Sequence, residues 1–240
     1  MLKILRIIVL ICLLLVWFVV GLVICLARPR HKNNVFMLGR MLNMMCPVFG
    51  VKVKSIIPDC SRNLGSVVYA VNHQSNYDIF VTTGCNLPGV VSMGKKSLVW
   101  VPFFGILYYL SGNILVDRAN RGRAVDSMKQ VVAKIKQKGI SIWMFPEGTR
   151  SKGRGLLPFK TGAFHTALMA KVPVVPIVCS SYVGQIDLNR WDNGEILIEM
   201  LPPIDTSHWG RGTVKELTET VRNQMVQKLA ELDAQVKRPV

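Results

Sequence analysis

The strongest constraint on this chain is an uncharged, apolar stretch near its beginning, from Ile7 to Ala27. As a helix it would be about 31 Å long, close to the hydrocarbon thickness of a bilayer, which predicts a segment that spans or deeply embeds in a membrane. A cleaved signal peptide is the alternative, but Arg28, Pro29 and Arg30 stand where a small-residue cleavage site would be expected. Transmembrane and monotopic insertion both stay open.

The distribution of charge indicates the same surroundings. The 240 residues contain 30 Lys and Arg against 14 Asp and Glu, and no acidic residue precedes Asp59. A leader that is both basic and apolar favours an anionic phospholipid membrane as partner. Nucleic acid often binds chains this basic, but the apolar leader and the lack of a recognisable DNA- or RNA-binding module argue against it. The six cysteines show no short paired spacing, which fits a reducing compartment.

The remaining residues predict one α/β domain. A Met-rich helix ending near Pro47 is too short to cross a bilayer, so it either lies at the membrane interface or packs in the core. We therefore assign residues 1–50 to N-terminal membrane-anchoring helices and residues 51–240 to the α/β domain. Short β-rich runs then alternate with helical patterns, including a helix over 122–138 and a C-terminal helix begun by a Thr213–Glu216 capping box. The expected strands are 67–71, 114–116, 140–145, 174–179 and 196–200.

The segment VVYAVNHQSNYDIF carries the first candidate site. On one continuous helix His73 and Asp78 would point about 140° apart and could not meet. If His73 lies in a loop and Ser75 or Asn76 caps the following helix, Asp78 falls in its first turn and can reach back to the imidazole. An imidazole oriented in this way is a general base for an attacking hydroxyl. A capping Asp beside a structural His is the alternative.

A second candidate site is WMFPEGTRSKGRG, which follows another apolar strand. Pro146 stiffens the turn, and Gly148 would let a ligand approach backbone amides, so the segment with Glu147, Thr149 and Arg150 predicts an anion-binding loop. A solvent-exposed turn is the alternative. Further cations that suit phosphate oxygens are offered by strand ends and loops elsewhere in the chain. They are Arg118, Lys95, Lys96 and Lys160.

Four blocks, NHQSNYD, GNILVDR, FPEGTRS and VPVVPIV, stand in the order found in the glycerolipid acyltransferases, so the chain resembles that family, and its bacterial 1-acyl-sn-glycerol-3-phosphate acyltransferases in particular. The resemblance implies an acyltransferase fold over residues 51–240, a mixed, mostly parallel sheet flanked by helices. It makes His73 and Asp78 the catalytic pair. It also implies substrate-binding positions, with Lys95 carried over less directly. These are Arg118, Glu147, Gly148, Thr149, Arg150 and Lys95.

The activity implied by the resemblance is transfer of an acyl group to the sn-2 hydroxyl of 1-acyl-sn-glycerol 3-phosphate, which is lysophosphatidic acid. The expected donors are the co-substrates acyl-CoA or acyl carrier protein, with no further cofactor and no metal. The expected location is the cytoplasmic side of the bacterial inner membrane. Glycerol 3-phosphate or another lysophospholipid as acceptor is an alternative, as is a non-enzymatic protein that binds anionic lipid. A serine hydrolase is disfavoured because the chain lacks a G-x-S-x-G motif.

Overall fold

The chain folds around a seven-stranded sheet with the strand order β1-β7-β6-β2-β5-β3-β4. The structure is a computed structural model that describes residues 1–116 and 121–237, with side chains from residue 128 onward in the second range. The strands are β1 (Lys52–Ile56), β2 (Val68–Val71), β3 (Val90–Lys95), β4 (Ile114–Val116), β5 (Ser141–Met144), β6 (Val174–Cys179) and β7 (Glu195–Met200). The helices are α1 (Leu2–Ala27), α2 (Asn34–Asn43), α3 (Asp78–Val81), α4 (Phe104–Leu110), α5 (Arg121–Lys138), α6 (Gly162–Ala170) and α7 (Val214–Gln235).

The direction of the strands decides where the chemistry can lie. Neighbouring described strands run parallel except β6 and β7, which are antiparallel. The carboxyl ends of β2, β3, β4, β5 and β6 therefore meet at one edge of the sheet, which we call the carboxyl edge. Ligand sites in open parallel sheets form at this edge, because loops leave every strand in the same direction there.

The sheet is covered on both faces, which explains the near-continuous apolar runs of its central strands. All four residues of β2 and all six of β6 are buried. Helices α6 and α7 pack on one face through Phe164, Leu217 and Met225. The other face is covered by a cluster that includes Phe49 and Tyr182.

The mixed, mostly parallel sheet predicted from the sequence is confirmed, and all five predicted strands exist with ends shifted by no more than about a residue. Strands β1 and β3 were missed. β1 is an edge strand whose residues KVKSI are mostly exposed, so no apolar run marks it. The predicted capping box at the start of α7 was wrong. Thr213 instead accepts a hydrogen bond from the Gly210 amide, 3.0 Å away, within the preceding turn.

The apolar helix α1 is attached to the rest of the chain near its beginning, at its middle and just beyond its end. Near its beginning, the Arg6 guanidinium donates to three backbone carbonyls of the loop 187–191, the closest being Trp191 O at 2.9 Å. In the middle, the Trp17 indole donates to Leu38 O at 3.1 Å. Just beyond the helix, the Arg30 amide donates to Leu110 O at 2.9 Å. Helix α1 is thus fixed at three points and leaves its opposite apolar face exposed.

Helix α2 is packed between α1 and the domain. Its Leu38 and Leu42 are buried beside Trp17. On its other side, Arg40 donates to Gly84 O at 3.0 Å and Asn43 donates to Phe80 O at 2.9 Å. This packing matches the core alternative for the Met-rich helix, while the boundary at residue 50 stays a prediction.

Gly105 tests how tightly α4 packs against the backbone of the turn that precedes it. A Cβ at this position would lie 2.2 Å from Val99 O and 2.6 Å from Leu98 O, both backbone atoms that cannot rotate away. We expect Gly105→Ala to lower the free energy of unfolding by about 3 kcal/mol, because overpacking forces the backbone to shift. Thermal unfolding in detergent measures the change. Gly212→Ala is the matched control, since a Cβ there meets nothing within 4 Å, and an equal loss in both variants would contradict the prediction.

Candidate active site

The end of β2 places the first predicted motif at the centre of the carboxyl edge. The Asn72 side chain exchanges two hydrogen bonds of 2.8 Å with the backbone of Cys179, which extends the pairing of β2 with β6 beyond the strand itself. The side-chain amide of Gln74 donates to Cys179 O at 2.9 Å and to Ser180 O at 2.8 Å. These side chains hold the loop that carries His73 on both sides of that residue.

His73 and Asp78 meet as the sequence predicts. His73 lies in the loop after β2, Asp78 is the first residue of α3, and His73 Nδ1 lies 2.6 Å from Asp78 Oδ2. The same carboxylate oxygen accepts hydrogen bonds from the backbone amides of Gln74 at 2.7 Å and Ser75 at 3.1 Å. We expected Ser75 or Asn76 to cap α3, but the residue at the cap position is Tyr77. Ser75 Oγ instead accepts a hydrogen bond from the Tyr77 backbone amide. Asp78 therefore closes the loop as well as orienting the ring.

The His73 ring is held flat against a second aromatic ring. It stacks on Phe145, with ring centroids 4.1 Å apart and planes 18° apart. Asp78 is almost completely buried, whereas the His73 side chain is 21% exposed. Because Nδ1 faces the carboxylate, Nε2 is the nitrogen left to exchange a proton with a substrate. This geometry is that of a general base with a fixed tautomer.

Tyr182 is a site residue that the sequence analysis missed. It lies just beyond β6, its hydroxyl donates to Asp78 Oδ1, and Ser75 Oγ lies 3.0 Å from the same hydroxyl. Burial is the main cause that raises the pKa of Tyr182, and the charge of Asp78 raises it further. The phenol therefore stays neutral and acts as a donor. The available signal was its position four residues after the fourth motif, just beyond the end of a strand adjacent to β2.

Glu147 lies beneath the His73 loop, at the end of β5. Its Oε1 accepts from the His73 amide at 2.6 Å and its Oε2 accepts from the Leu157 amide at 3.0 Å. Only 3% of the residue is exposed. Burial raises the pKa of Glu147, and the two amide bonds oppose that shift. Since both oxygens are occupied by backbone donors, this carboxylate holds together the loops after β2 and β5.

The loop from Gly148 to Lys160 differs from the simple amide cradle expected from the sequence. Gly148 has φ of +72°, as its glycine predicts, but its amide donates to Phe145 O at 3.0 Å. The amide of Ser151 donates to His73 O at 2.8 Å. A Cβ on Gly148 would lie 3.0 Å from Lys160 Nζ, so the lysine side chain crosses the glycine directly. The positive charge over this loop therefore comes from the Lys160 side chain.

Four of the remaining predicted cationic or polar binding residues lie around the same edge. Thr149 and Arg150 are exposed in the loop after β5, and Lys95 and Lys96 are exposed where β3 ends. Arg118 lies outside the described residues. Within the described part of the chain, no three His, Cys, Asp or Glu side chains are grouped so that they could share a metal ion.

The comparisons with known proteins identify the family. The acyltransferase family matches residues 52–180, the part of the chain that holds His73, Asp78 and Glu147. The chain belongs to the acyltransferase family. It is 48% identical over 236 residues to the 1-acyl-sn-glycerol-3-phosphate acyltransferase of Escherichia coli, covering 98% of this chain and 96% of that protein. The enzyme of the same name from Haemophilus influenzae is 46% identical, with 99% of each chain covered.

A solved structure extends the likeness of this acyltransferase to the whole fold. The crystal structure of the 1-acyl-sn-glycerophosphate (LPA) acyltransferase PlsC from Thermotoga maritima matches with a TM-score of 0.70. The alignment covers 97% of each chain at 19% identity. It therefore includes α1 and α2 as well as the sheet, and at this identity it supports the architecture alone.

Tyr182→Phe tests whether the phenol helps to orient His73 and Asp78 in this acyltransferase. Losing a hydrogen bond to a charged group costs about 1.5 kcal/mol, so we expect kcat to fall roughly tenfold. Steady-state acyl transfer measures kcat, and circular dichroism checks that the protein is folded. Tyr69→Phe removes the same hydroxyl from another buried tyrosine of the core. Equal kcat values in the two variants would show that Tyr182 has no such role.

Proposed function

We propose that this acyltransferase moves a fatty acyl group from acyl-CoA or acyl carrier protein to the sn-2 hydroxyl of 1-acyl-sn-glycerol 3-phosphate, giving phosphatidic acid. The observation that carries the proposal is the short contact between His73 and the buried carboxylate of Asp78 at the carboxyl edge. The names of the relatives that match nearly the full chain support the choice of acceptor.

The reaction follows from the position of Nε2. His73 Nε2 takes the proton from the sn-2 hydroxyl while that oxygen attacks the thioester carbonyl carbon. The tetrahedral intermediate then collapses, the carbon–sulfur bond breaks, and the imidazolium returns its proton to the leaving thiolate. The products are an ester and a free thiol, and no group becomes bonded to the enzyme. A base of this kind contributes about 10² to 10⁴ in rate.

Asp78 stabilises the charge that His73 acquires during transfer. Its two oxygens accept from His73, two backbone amides and Tyr182, so the carboxylate cannot rotate away from the ring. A pre-oriented charge of this kind needs no rearrangement when the imidazolium forms. The role of a base therefore belongs to His73, and the role of an electrostatic partner belongs to Asp78.

The phosphate of the acceptor is proposed to lie over the loop after β5. Arg150 and Thr149 would contact its oxygens, Lys160 lies over Gly148, and Lys95 lies at the end of β3 on the same edge. Arg118 is proposed for the same role because of its place in the second motif. Glu147 is proposed to act differently from the other motif residues, as a positioning residue beneath the His73 amide. Its oxygens face backbone donors, and a carboxylate would repel a phosphate.

The membrane helix is proposed to lie in the plane of the bilayer surface. α1 is the one helix in the described part of the chain that is long and apolar enough to cross a membrane. Its contacts through Arg6, Trp17 and Arg30 hold both ends to the domain, so crossing would pull part of the domain into the hydrocarbon region. Monotopic insertion exposes its free apolar face to lipid. The cytoplasmic side of the inner membrane, where both thioester donors are found, is the proposed location.

His73→Ala tests the proposed chemistry. We expect kcat to fall by about 10² to 10⁴, because the general base is lost. Purified enzyme is assayed with lysophosphatidic acid and with glycerol 3-phosphate, each with both acyl donors, which also ranks the substrates. His165→Ala, in α6, is the matched control. Full activity of His73→Ala, or absence of transfer by the wild type with every pair, would sink the proposal, the latter in favour of a lipid-binding protein.

Arg150→Ala tests the phosphate site separately. Removing one charged contact to phosphate is expected to raise KM for lysophosphatidic acid about tenfold while changing kcat little, since the phosphate does not react. Initial rates over a range of acceptor concentrations separate the two constants. Arg211→Ala removes an exposed arginine outside the four motifs. A large fall in kcat at unchanged KM would place Arg150 elsewhere in the mechanism.

A further inference from the structure

A second apolar surface lies outside α1. The segment between β3 and β4 exposes five large hydrophobic side chains, which we call the apolar patch. They are Trp100, Val101, Phe103, Ile106 and Tyr109. Trp100 is 83% exposed and Phe103 is 56% exposed. Side chains of this size cluster on a protein surface when another apolar phase covers them.

The apolar patch is continuous with the exposed face of α1. Phe103 contacts Phe18 of α1 edge to face, with ring centroids 5.1 Å apart. Leu107 of α4 points inward and packs closely on Gly21 of α1, where an added Cβ would lie 2.9 Å from the Leu107 side chain. Ile106 and Tyr109 are three residues apart in α4 and thus share its outer side. The two elements therefore present one apolar surface.

The backbone at Phe103 is held in an unusual conformation. Its φ is +59° and its ψ is −53°, a region that bulky residues rarely adopt. The turn is closed by the Phe104 amide, which donates to Pro102 O at 2.6 Å. This turn directs an aromatic side chain outward, where a buried position would be expected for Phe. A conformation of this kind persists where the surroundings enforce it and is common at functional surfaces.

Positive charge borders the apolar patch. Lys95 and Lys96 immediately precede the segment and are exposed. On its other side, the Arg30 guanidinium lies 4.9 Å from the centroid of the Tyr109 ring. Apolar and aromatic side chains flanked by lysine and arginine match the interface of an anionic bilayer, where rings enter the acyl region and cations contact headgroups.

We propose that the apolar patch is a second membrane-inserting element, which enters an anionic phospholipid bilayer beside α1. Both elements would then fix the tilt of the domain, with the ends of β3 and β4 at the level of the headgroups. An acceptor lipid could reach the carboxyl edge with its acyl chain still in the bilayer. The inference rests on the membrane association in the proposed function and adds a second contact that this function does not require.

Tryptophan quenching tests the depth of the apolar patch directly. The full chain is reconstituted into vesicles of phosphatidylethanolamine and phosphatidylglycerol, with or without bromine on the acyl chains. The signal of Trp100 is the difference between wild type and Trp100→Phe, and that of Trp209, on the loop before α7, is obtained in the same way. Bromine should quench the Trp100 signal by at least about half and leave Trp209 unchanged, because bromine acts only on contact with the acyl region. Trp100 quenched by aqueous acrylamide instead, or shielded from both quenchers within a dimer, overturns the inference.

An activity comparison separates this inference from the proposed function. Ile106→Asp should lower transfer to long-chain lysophosphatidic acid in vesicles about tenfold, because an acid among acyl chains is costly. Transfer to a short-chain, monomeric acceptor in solution should not change. Val226→Asp is the control, because it introduces the same acid at an exposed apolar position of α7. Equal vesicle activity of both variants rejects the inference alone, whereas no transfer to either acceptor by the wild type rejects the proposed function.

Discussion

The site depends on one buried carboxylate. Asp78 has almost no contact with solvent, and burying a charge without partners would be very unfavourable. Its partners are the His73 ring, the amides of Gln74 and Ser75, and the Tyr182 hydroxyl. These bonds define the loop after β2, the start of α3 and the end of β6 in a single arrangement. The orientation of the His73 imidazole is thus tied to the pairing of the central strands.

A second carboxylate performs a similar task on the other side of the same loop. Glu147 accepts from the amides of His73 and Leu157, and so connects the loops that follow β2 and β5. The third motif therefore has two different surroundings within four residues. Glu147 points inward and supports the loop, whereas Thr149 and Arg150 point to solvent, where a phosphate can approach. Neighbouring residues of one motif need not share a role, because the turn at Gly148 separates their surroundings.

In the proposed function, the position of α1 connects the chemistry of the site to the membrane. Arg6 donates to a backbone carbonyl of the domain and Trp17 donates to Leu38 O of α2, so the most apolar segment of the chain is attached by polar contacts. The free face of α1 and the apolar patch then lie on a continuous surface through Phe18 and Phe103. An acceptor whose acyl chain stays in lipid needs a catalytic edge held at a fixed height, and two attached apolar elements can supply that constraint.

The sequence by itself determined five of the seven described strands and the contact expected between His73 and Asp78. Apolar runs located five strands, and the five-residue spacing of His73 and Asp78 required a loop between them, because helical geometry would have kept them apart. Only the tertiary structure brought Tyr182 to Asp78, filled both oxygens of Glu147 with backbone donors, placed Lys160 over Gly148 and attached α1 to the domain. Each of these contacts joins residues that are distant in the chain or depends on which way a buried group points. Local periodicity carries no information about contacts between distant residues or about the direction of a buried group, so the tertiary fold had to decide both.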